Sequence, residues 1–591
     1  MTTTSEVPSV GKWTATWQQV ARVWALTRPY FTSEDRYKAW ALLGAIVLLN
    51  LGTVYLSVLL NDWRRVFYDA LQEKNAAVFW VQLWRFLYLA LAFVLTAIYS
   101  FYLTQLLELR WRSWMTHKYL AQWLAQHQFY RMELGRFAAA GAQDNPDQRI
   151  QEDIGQFTNL TIGLSTGLLN SVVTLASFVG ILWGLSGGFS FHWNGSEYVI
   201  YGFMVWVALL YCLFGSVLTH FIGKPQIQLN FQQQRVEADF RHRMVRVREY
   251  SESIALEHGA AVEGNQLGLK FRRVFANQLA LIQAQKRLMW FTVPFGQTAS
   301  VFPIIIAAPR FFSGAIALGE LMQIASAFGE VQGALNWFVD NYQQLAGWRA
   351  TTDRLTSFSQ ALQGPANSSV ETDTVANQGL YSSDLEVALP NGEVLLQHLQ
   401  LSVTAGDSVL LSGPSGSGKS TLFRSLAGIW PYARGRVARA TETMFLPQRP
   451  YFPDGILRDA LAYPLDCSEY SDSALQQALR DALLPELCSQ LDRSAAWSQQ
   501  LSGGEQQRLA IARVLLKKPR WIFADEATSA LDEAAEATLY QRLRDLVRER
   551  NGSLVSIAHR PGVAAYHQRH WTLQPQAEGA AARFSLSEKP A

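Results

Sequence analysis

From Trp40 to Leu60 the chain reads WALLGAIVLLNLGTVYLSVLL, 21 residues without one charged side chain. At the 1.5 Å rise of an α-helix such a run covers about 30 Å, the thickness of a bilayer's hydrocarbon core. Lipid offers no hydrogen-bond partner, so a crossing segment of this kind must satisfy its own backbone as a helix. A chain built around it is a helical membrane protein.

Further stretches repeat the pattern. Phe79–Tyr102 is the second, with Arg85 near one end, where a long stem carries the charge to the interface. Ile162–Leu185 and Tyr198–Ile222 are the third and fourth. Trp290–Phe312 is the fifth, and Pro294, Pro303 and Pro309 within it are expected to kink it. The sixth, Ala315–Phe338, is the most polar and rests on the even number of crossings it completes. An even number brings both chain ends to one side.

Two connections, Leu106–Phe157 and Gly223–Met289, are far longer than the others and mix polar and apolar residues at helical spacing. They read as helices continuing out of the membrane. The second carries Lys224, Arg235, Arg241, Arg243, Arg246, Arg248, Lys270, Arg272, Arg273, Lys286 and Arg287, whereas the Ser186–Glu197 loop has neither Lys nor Arg. The bias puts the long connections in the cytoplasm. Trp13–Thr27 is amphipathic and rich in tryptophan, and reads either as a helix in the membrane interface or as one packed on protein. No short apolar core with a small-residue cleavage site opens the chain, so a removable leader is not expected.

Charge is scarce and nearly balanced. Fifty-one basic against 48 acidic side chains leave +3, too little for a surface that holds nucleic acid. Cys212, Cys467 and Cys488 have neither disulfide nor zinc-ligand spacing. After Arg354 the texture changes: QGPANSSVETDTVANQG is polar and rich in small residues, and beyond it short apolar runs alternate with helical ones. That alternation marks an α/β domain. The expected organisation is an all-α transmembrane domain of six helices over residues 1–354, a linker over 355–379, an α/β domain over 380–575 and a tail over 576–591.

The α/β part carries phosphate chemistry. Ser408–Ser412 reads as a buried strand and runs into Gly413, Pro414, Ser415, Gly416, Ser417, Gly418, Lys419, Ser420 and Thr421, followed by the helical LFRSLAG. Strand, glycine loop and helix in that order make a P-loop. Its backbone N–H groups close around a β-phosphate, Lys419 brings a cation to the β and γ oxygens, and Ser420 offers a hydroxyl to Mg²⁺. Further on, RWIFADE is a hydrophobic strand that ends in two carboxylates. Asp525 suits the Mg²⁺ shell, and Glu526 suits the polarising of a water that attacks the γ-phosphate. Between them LSGGEQQR opens a helix, where the Ser502 hydroxyl and the amides of Gly503, Gly504 and Glu505 form either a second anion site or an ordinary cap.

LSGGEQQR together with the P-loop resembles the signature of the ATP-binding cassette (ABC) family. Other landmarks follow in order: Gln448 in FLPQRPYF, Asp532 in SALD, and His559 in SIAHR. The resemblance implies that Gln448 senses Mg²⁺ and the γ-phosphate, that His559 holds the γ-phosphate, and that Asp532 bridges two subunits. It also implies that each ATP lies between the P-loop of one chain and the signature turn of another, hence a homodimer with an exporter-type membrane fold. An adenine-stacking aromatic belongs near the strand before the P-loop, where this chain has Leu389, with Tyr381 more distant.

RPYFTSEDRYKAW, LNDWRRVFYDALQEKN, DNPDQRIQEDI and REYSESIALEHG resemble the SbmA/BacA-type family, whose fused bacterial members take up vitamin B12 and antimicrobial peptides. NPDQ, SESIALEHG, GIWP and PQRPYF also resemble the peroxisomal fatty-acyl transporters of subfamily D. The implied protein is a multi-pass transporter of the bacterial inner membrane. Its partners would be the lipid bilayer, a second copy of itself and a small solute or peptide, with an acyl-CoA as the alternative cargo.

Coupling to ATP requires short cytoplasmic elements that dock on the cassettes; Asn145–Gln148 and Ser253–Gly259 are the candidates, or else plain turns. In the sixth segment Glu320, Gln323, Glu330 and Asn341 share a face at helical spacing and form a candidate substrate path, though Glu320 also sits where a helix start favours a carboxylate. Two readings of another class stand beside transport: an ATP-gated channel and an ATPase that regulates a partner.

Overall fold

The computed structural model describes residues 12–138, 145–193, 196–362, 369–375, 379–577 and 579–590. It divides into two compact units, one made of the described residues of 1–121 and 145–360, the other of those of 122–144 and 361–591.

The first unit is helical: α1 (Lys12–Phe31), α2 (Arg36–Gln72), α3 (Ala76–Leu124), α5 (Pro146–Gln148), α6 (Ile154–Ser186), α7 (Phe203–Glu249), α8 (Ser251–Leu256), α9 (Ala260–Phe312), α10 (Leu318–Asp340) and α11 (Tyr342–Leu362), with α4 (Gln128–Ala138) assigned to the other unit. Five helical stretches among the described residues are long and apolar enough to cross a membrane: Arg36–Gln72, Ala76–Gly135, Pro146–Ser186, Phe203–Glu249 and Ala260–Phe312. The sixth expected crossing is a helix, α10, but it is not among them. The reason lies in its position. It packs on α2, α6, α7 and α9 and buries Leu321, Gln323, Ile324, Ala327, Phe328 and Val331, so most of its surface meets protein and little of it has to suit lipid.

Two further expectations change. The Ser186–Glu197 stretch is not a simple loop: its backbone pairs as an antiparallel hairpin, β1 (Gly188–Trp193) with β2 (Ser196–Tyr201), Asn194 and Gly195 lying outside the described residues. The fourth crossing therefore starts at Phe203 and not Tyr198. Gly202 at that start has φ +66°, and a Cβ on it would come within 2.3 Å of the Trp183 ring, so only glycine fits. Arg310 closes the end of α6 by donating to the carbonyls of Leu185 (3.1 Å) and Ser186 (2.7 Å). The fifth crossing stays helical through Pro294, Pro303 and Pro309.

At 47 and 53 residues, α7 and α9 run about 70 and 80 Å, far beyond a bilayer. Outside it they are laced together by Arg243 with Glu263 (2.7 Å), Lys270 with Asp239 (3.3 Å), and Asn277 donating to Gln233 (2.8 Å). Of the two candidate docking elements, Asn145 precedes α5, and Ser253–Gly259 covers most of α8 and the turn after it, where His258 has φ +54°. Nearby, the buried Asp153 carboxylate accepts from Arg149 (2.5 Å) and from both ends of the Arg354 fork (2.9 and 2.5 Å), which compensates its burial.

The second unit holds two sheets. One is β3 (Ser369–Val375), β8 (Ala433–Ala440), β4 (Leu380–Ala388) and β5 (Val394–Leu399) in that order, with β6 (Ser402–Val403) paired to β4. The other has the order β15 (Phe584–Pro590), β14 (Arg569–Pro575), β7 (Ser408–Ser412), β13 (Ser553–Ile557), β12 (Trp521–Asp525) and β9 (Thr443–Leu446), parallel except for β15. A helical insertion of α13 (Leu457–Ala462), α14 (Asp472–Asp481) and α15 (Trp497–Gln500), with the short ribbon β10 (Gly455–Ile456) and β11 (Ser494–Ala495), stands between β9 and α16 (Gly503–Lys517). The helices α12 (Lys419–Leu426), α17 (Glu533–Glu549) and α18 (Pro561–Ala564) complete it.

The stretches read as linker and tail thus take part in the sheets. Residues 355–362 finish α11, and β3 pairs with β8 even though its sequence is polar, because an edge strand needs only one ladder; residues 363–368 and 376–378 lie outside the described ones. The tail supplies β15, whose Phe584 is buried against β14. At its far end α3 breaks after Leu124, where Gln126 and His127 adopt φ of +48° and +59°, and α4 then lays Leu134 on the core of this second unit.

Candidate active site

The parallel strands β7, β12 and β13 end on one side of their sheet, the usual place for a site in an open α/β fold. The P-loop leaves β7, Glu526 leaves β12, and His559 leaves β13.

Gly418 begins α12 with φ +87°, and a Cβ there would meet Leu395 at 2.9 Å. Lys419 folds back to donate to the carbonyls of Gly413 (3.0 Å) and Pro414 (2.9 Å). Burial pushes its ammonium below the ordinary lysine range, while the carboxylates of Glu526 and Asp525 push the other way. Ser417 is fully buried and, among the described residues, its hydroxyl has no hydrogen-bond partner, so an anion held by the loop would satisfy it. Pro414, Ser415 and Gly416 form the exposed rim, and Thr421 lies one turn into α12, where its carbonyl accepts from Ser425 (2.8 Å).

Asp525 is held up by burial, opposed by its hydrogen bond with the Ser420 hydroxyl and reinforced by the charge of Glu526. A divalent cation between them would lower it again. Among the described residues no three His, Cys, Asp or Glu side chains cluster as a metal cage. Mg²⁺ at a phosphate site takes one or two protein ligands and fills its octahedron with water and phosphate, so Ser420 with Asp525 fits it.

Glu526 stands just past β12 at φ +50°, its carboxylate gripped from both sides: Gln448 donates to one oxygen (2.7 Å) and His559 Nε2 lies 3.1 Å from the other. Six residues chosen from the sequence therefore converge: Lys419, Ser420, Gln448, Asp525, Glu526 and His559. Ser502 caps α16 in a reciprocal box with Glu505, its amide and hydroxyl donating to the Glu505 carboxylate (2.8 and 2.7 Å), which holds that carboxyl below its usual value. The cap is real geometry within this chain. It leaves the first-turn amides of Gly503 and Gly504 at the helix start. Asp532 caps α17 by accepting from the Ala535 amide (2.8 Å).

Tyr381 lies near the start of β4 and Leu389 just past its end, with a bulge at Asp384 between them. Residues absent from the sequence reading also matter: Gln507, inside LSGGEQQR, and Arg560, beside His559, both contact the turn after Glu526. Their motifs had marked the region without saying which members face inward.

In the membrane unit, Gln323 is buried and its backbone carbonyl accepts from the Asn61 side chain (3.2 Å). Glu330 is half-buried within electrostatic reach of Arg64, which itself bonds Ser326. Arg64 falls just past the uncharged run, where hydropathy gives it no mark. Near Glu320 the α10 amides of Leu318 and Gly319 are already taken by Gln72 (2.7 Å) and Asp69 (2.8 Å) of α2. Asn341 lies beyond the end of α10, donating to the Trp337 carbonyl (2.9 Å).

Residues 26–312 match the family model described as ABC transporter transmembrane region 2, and residues 396–529 match that described as ABC transporter. The chain is 34% identical to the inner membrane ABC transporter ATP-binding protein YddA of Escherichia coli K12, across 92% of this chain and 96% of that one. It is 25% identical to the lysosomal cobalamin transporter ABCD4 of Mus musculus, over 73% of this chain and 75% of that one. A solved bacterial Atm1-family ABC exporter with ATP bound shares its fold, with a TM-score of 0.70 at 18% identity over 92% of this chain and 94% of that one.

Proposed function

Because this chain belongs to the ABC transporter family, as a half-transporter that joins one membrane unit to one ATP-binding unit, we propose that two copies pair to move a hydrophilic solute, such as a peptide or a cobalamin, across the bacterial inner membrane. It is an ATP-driven, multi-pass membrane transporter, and it hydrolyses ATP to do this work. The observation that carries the catalytic reading is the Glu526 carboxylate, held between Gln448 and His559.

In this reading the loop from Gly413 to Thr421 cradles the phosphates, Lys419 exchanges its two carbonyl partners for phosphate oxygens, and the unpartnered Ser417 hydroxyl gains an acceptor. Ser420 and Asp525, with Gln448 beside them, would hold Mg²⁺, which when bound would supply positive charge to the phosphates. Glu526 orients the attacking water, and His559 turns from Glu526 toward the γ-phosphate. The site is completed by Ser502, Gly503, Gly504 and Glu505 of the partner subunit, and Asp532 reaches across the same interface. Nucleotide closes the pair, and hydrolysis lets it open.

A polar cargo is supported by the face that Gln323, Ser326 and Glu330 make with Arg64, since ionisable groups at membrane depth favour a cavity over lipid. The name of the ABCD4 relative, a cobalamin transporter, agrees with that polarity. The test is ATPase activity of the full-length protein in liposomes, with peptide, cobalamin or acyl-CoA added. Wild type should be stimulated by peptide or cobalamin, and Glu526→Gln should bind ATP yet turn over at least about 100-fold more slowly. Wild-type turnover by that variant would defeat the catalytic assignment, and stimulation by acyl-CoA alone would defeat the cargo.

A further inference from the structure

The turn that joins β12 to α17, Glu526 to Asp532, is gripped from two directions. From α16, Gln507, only 5% exposed, donates through Nε2 to the Ser529 hydroxyl (2.9 Å) and the Glu526 carbonyl (3.3 Å). Its Oε1 accepts from the Ala530 amide (2.8 Å). From the loop after β13, Arg560 donates through Nη1 to the Leu531 carbonyl (2.6 Å) and through Nη2 to the Ser529 carbonyl (3.0 Å). The guanidinium is steadied by Glu536, 3.5 Å away, a buried carboxylate that also accepts from the Thr528 hydroxyl (2.5 Å).

These contacts touch both ends of the chemistry. Glu526 carries the first residue of the turn at a positive φ, a conformation costly for a side chain of its size unless its surroundings impose it. Its amide donates to the Ile557 carbonyl (3.0 Å), and its carbonyl is taken by Gln507. Gly504 lets the signature helix press on the same turn, since a Cβ there would lie 3.1 Å from the Ala530 carbonyl. Arg560 follows His559 directly in sequence. Consecutive residues of one loop thus hold the Glu526 carboxylate at the start of the turn and the Ser529 and Leu531 carbonyls near its end.

We propose that Gln507 and Arg560 are positioning residues that fix the Glu526–Asp532 turn, and that Arg560 makes the placement of Asp532 follow that of His559. The inference rests on the roles given above to Glu526 and His559. Residue chemistry explains the choice at both points. An amide carries an acceptor and two N–H donors at one end, which matches the Ala530 amide on one side and the Ser529 hydroxyl and Glu526 carbonyl on the other. A planar guanidinium reaches two carbonyls at once, where a lysine offers a point charge.

The experiment measures kcat, KM and ATP affinity for full-length Arg560→Ala, Arg560→Lys and Gln507→Glu in liposomes, with melting temperatures alongside. Arg560→Ala should lower kcat about tenfold or more while ATP affinity stays within about twofold of wild type, and Arg560→Lys should recover part of the loss. If Arg560→Ala does not fold, Gln507→Glu, which keeps the acceptor and loses the donors, is held to the same split between kcat and affinity. A kcat within about twofold of wild type, a parallel loss of affinity, or no recovery with lysine overturns the proposal. Glu526→Gln separates the two levels: an active Glu526→Gln protein defeats the site assignment itself, whereas an inactive one beside a fully active Arg560→Ala defeats only the positioning role.

Discussion

The two units are built inside out with respect to one another. In the α/β unit the apolar strands β7, β12 and β13 are the buried ones, with Phe523 stacked on Phe445 at 4.7 Å and shut away from water. In the membrane unit the long apolar helix α3 exposes Trp80, Trp84, Leu87 and Leu91, while α10, too polar to qualify as a crossing by composition, holds the fully buried Phe328. Apolar residues in the first case report exclusion from water. In the second they report contact with lipid, and protein contact is left to whichever helix stands in the middle.

Substituting one aromatic in each unit sharpens the contrast. Phe523→Ala opens a cavity and also loses transfer from water, and should cost about 3–5 kcal/mol. Phe328→Ala, packed near Tyr211 and Phe302, loses dispersion contacts but little hydrophobic transfer, because the reference surroundings are lipid. About 2–3 kcal/mol is expected. Leu91→Ala, at a side chain 59% exposed, should cost less than about 0.5 kcal/mol. Reversible unfolding in bicelles ranks the three, and a Leu91 cost equal to that of Phe328 would break the contrast.

Buried polar groups sharpen it from the other side. In the α/β unit His567 is enclosed, its Nδ1–H donating to the Val563 carbonyl (2.9 Å) and its Nε2 accepting from the Ser556 hydroxyl (3.0 Å). Burial pulls its pKa from 6.5 down to about 4. The unfolded chain therefore binds a proton that the folded one refuses, and the stabilisation is complete above pH 6.5 and declines as pH falls toward about 4. A loss of about 2 kcal/mol by pH ~5 is expected. His567→Gln keeps a donor and an acceptor without a titration, so its melting temperature should lose less than wild type over that interval. Parallel curves for the two proteins would refute the assignment.

The same contrast explains what the sequence disclosed. The P-loop, Asp525 and Glu526 were legible because phosphate chemistry needs fixed residue types at fixed spacing along a strand, a loop and a helix. Five crossings were legible because lipid-facing helices have to be apolar along their length. The character of α10 was not, since packing against four helices relaxes the demand that hydropathy measures. The hairpin after α6 has no separate mark in the sequence because the apolar end of β2, Tyr198–Tyr201, runs on into the crossing that follows, and the positive φ of Gly202 separates them. β3 and β15 hid in polar stretches because edge strands take their stability from a neighbour's ladder. Gln507 and Arg560 stayed silent because their task is to hold another residue's backbone, and a backbone leaves no mark in the sequence.

The smallest expected effect bears on α1, whose sequence fits either the membrane interface or a protein surface. Arg22 of α1 pairs with Asp353 of α11 at 2.7 Å, yet the two side chains are 46% and 41% exposed. Leu26 and Tyr30 anchor the end of the helix in protein, whereas Trp17, Val20 and Trp24 point away from it. If those outward rings are seated in the bilayer interface, the ion pair has little left to hold. Arg22→Ala should then cost no more than about 0.5 kcal/mol in bicelles, and salt should remove even that. A cost above about 1 kcal/mol that survives high salt would mean that protein contact carries the helix. Alone among the crossings and their flanks, α1 would then follow the rule of the α/β unit, with its stability set by what it packs against and not by the lipid it faces.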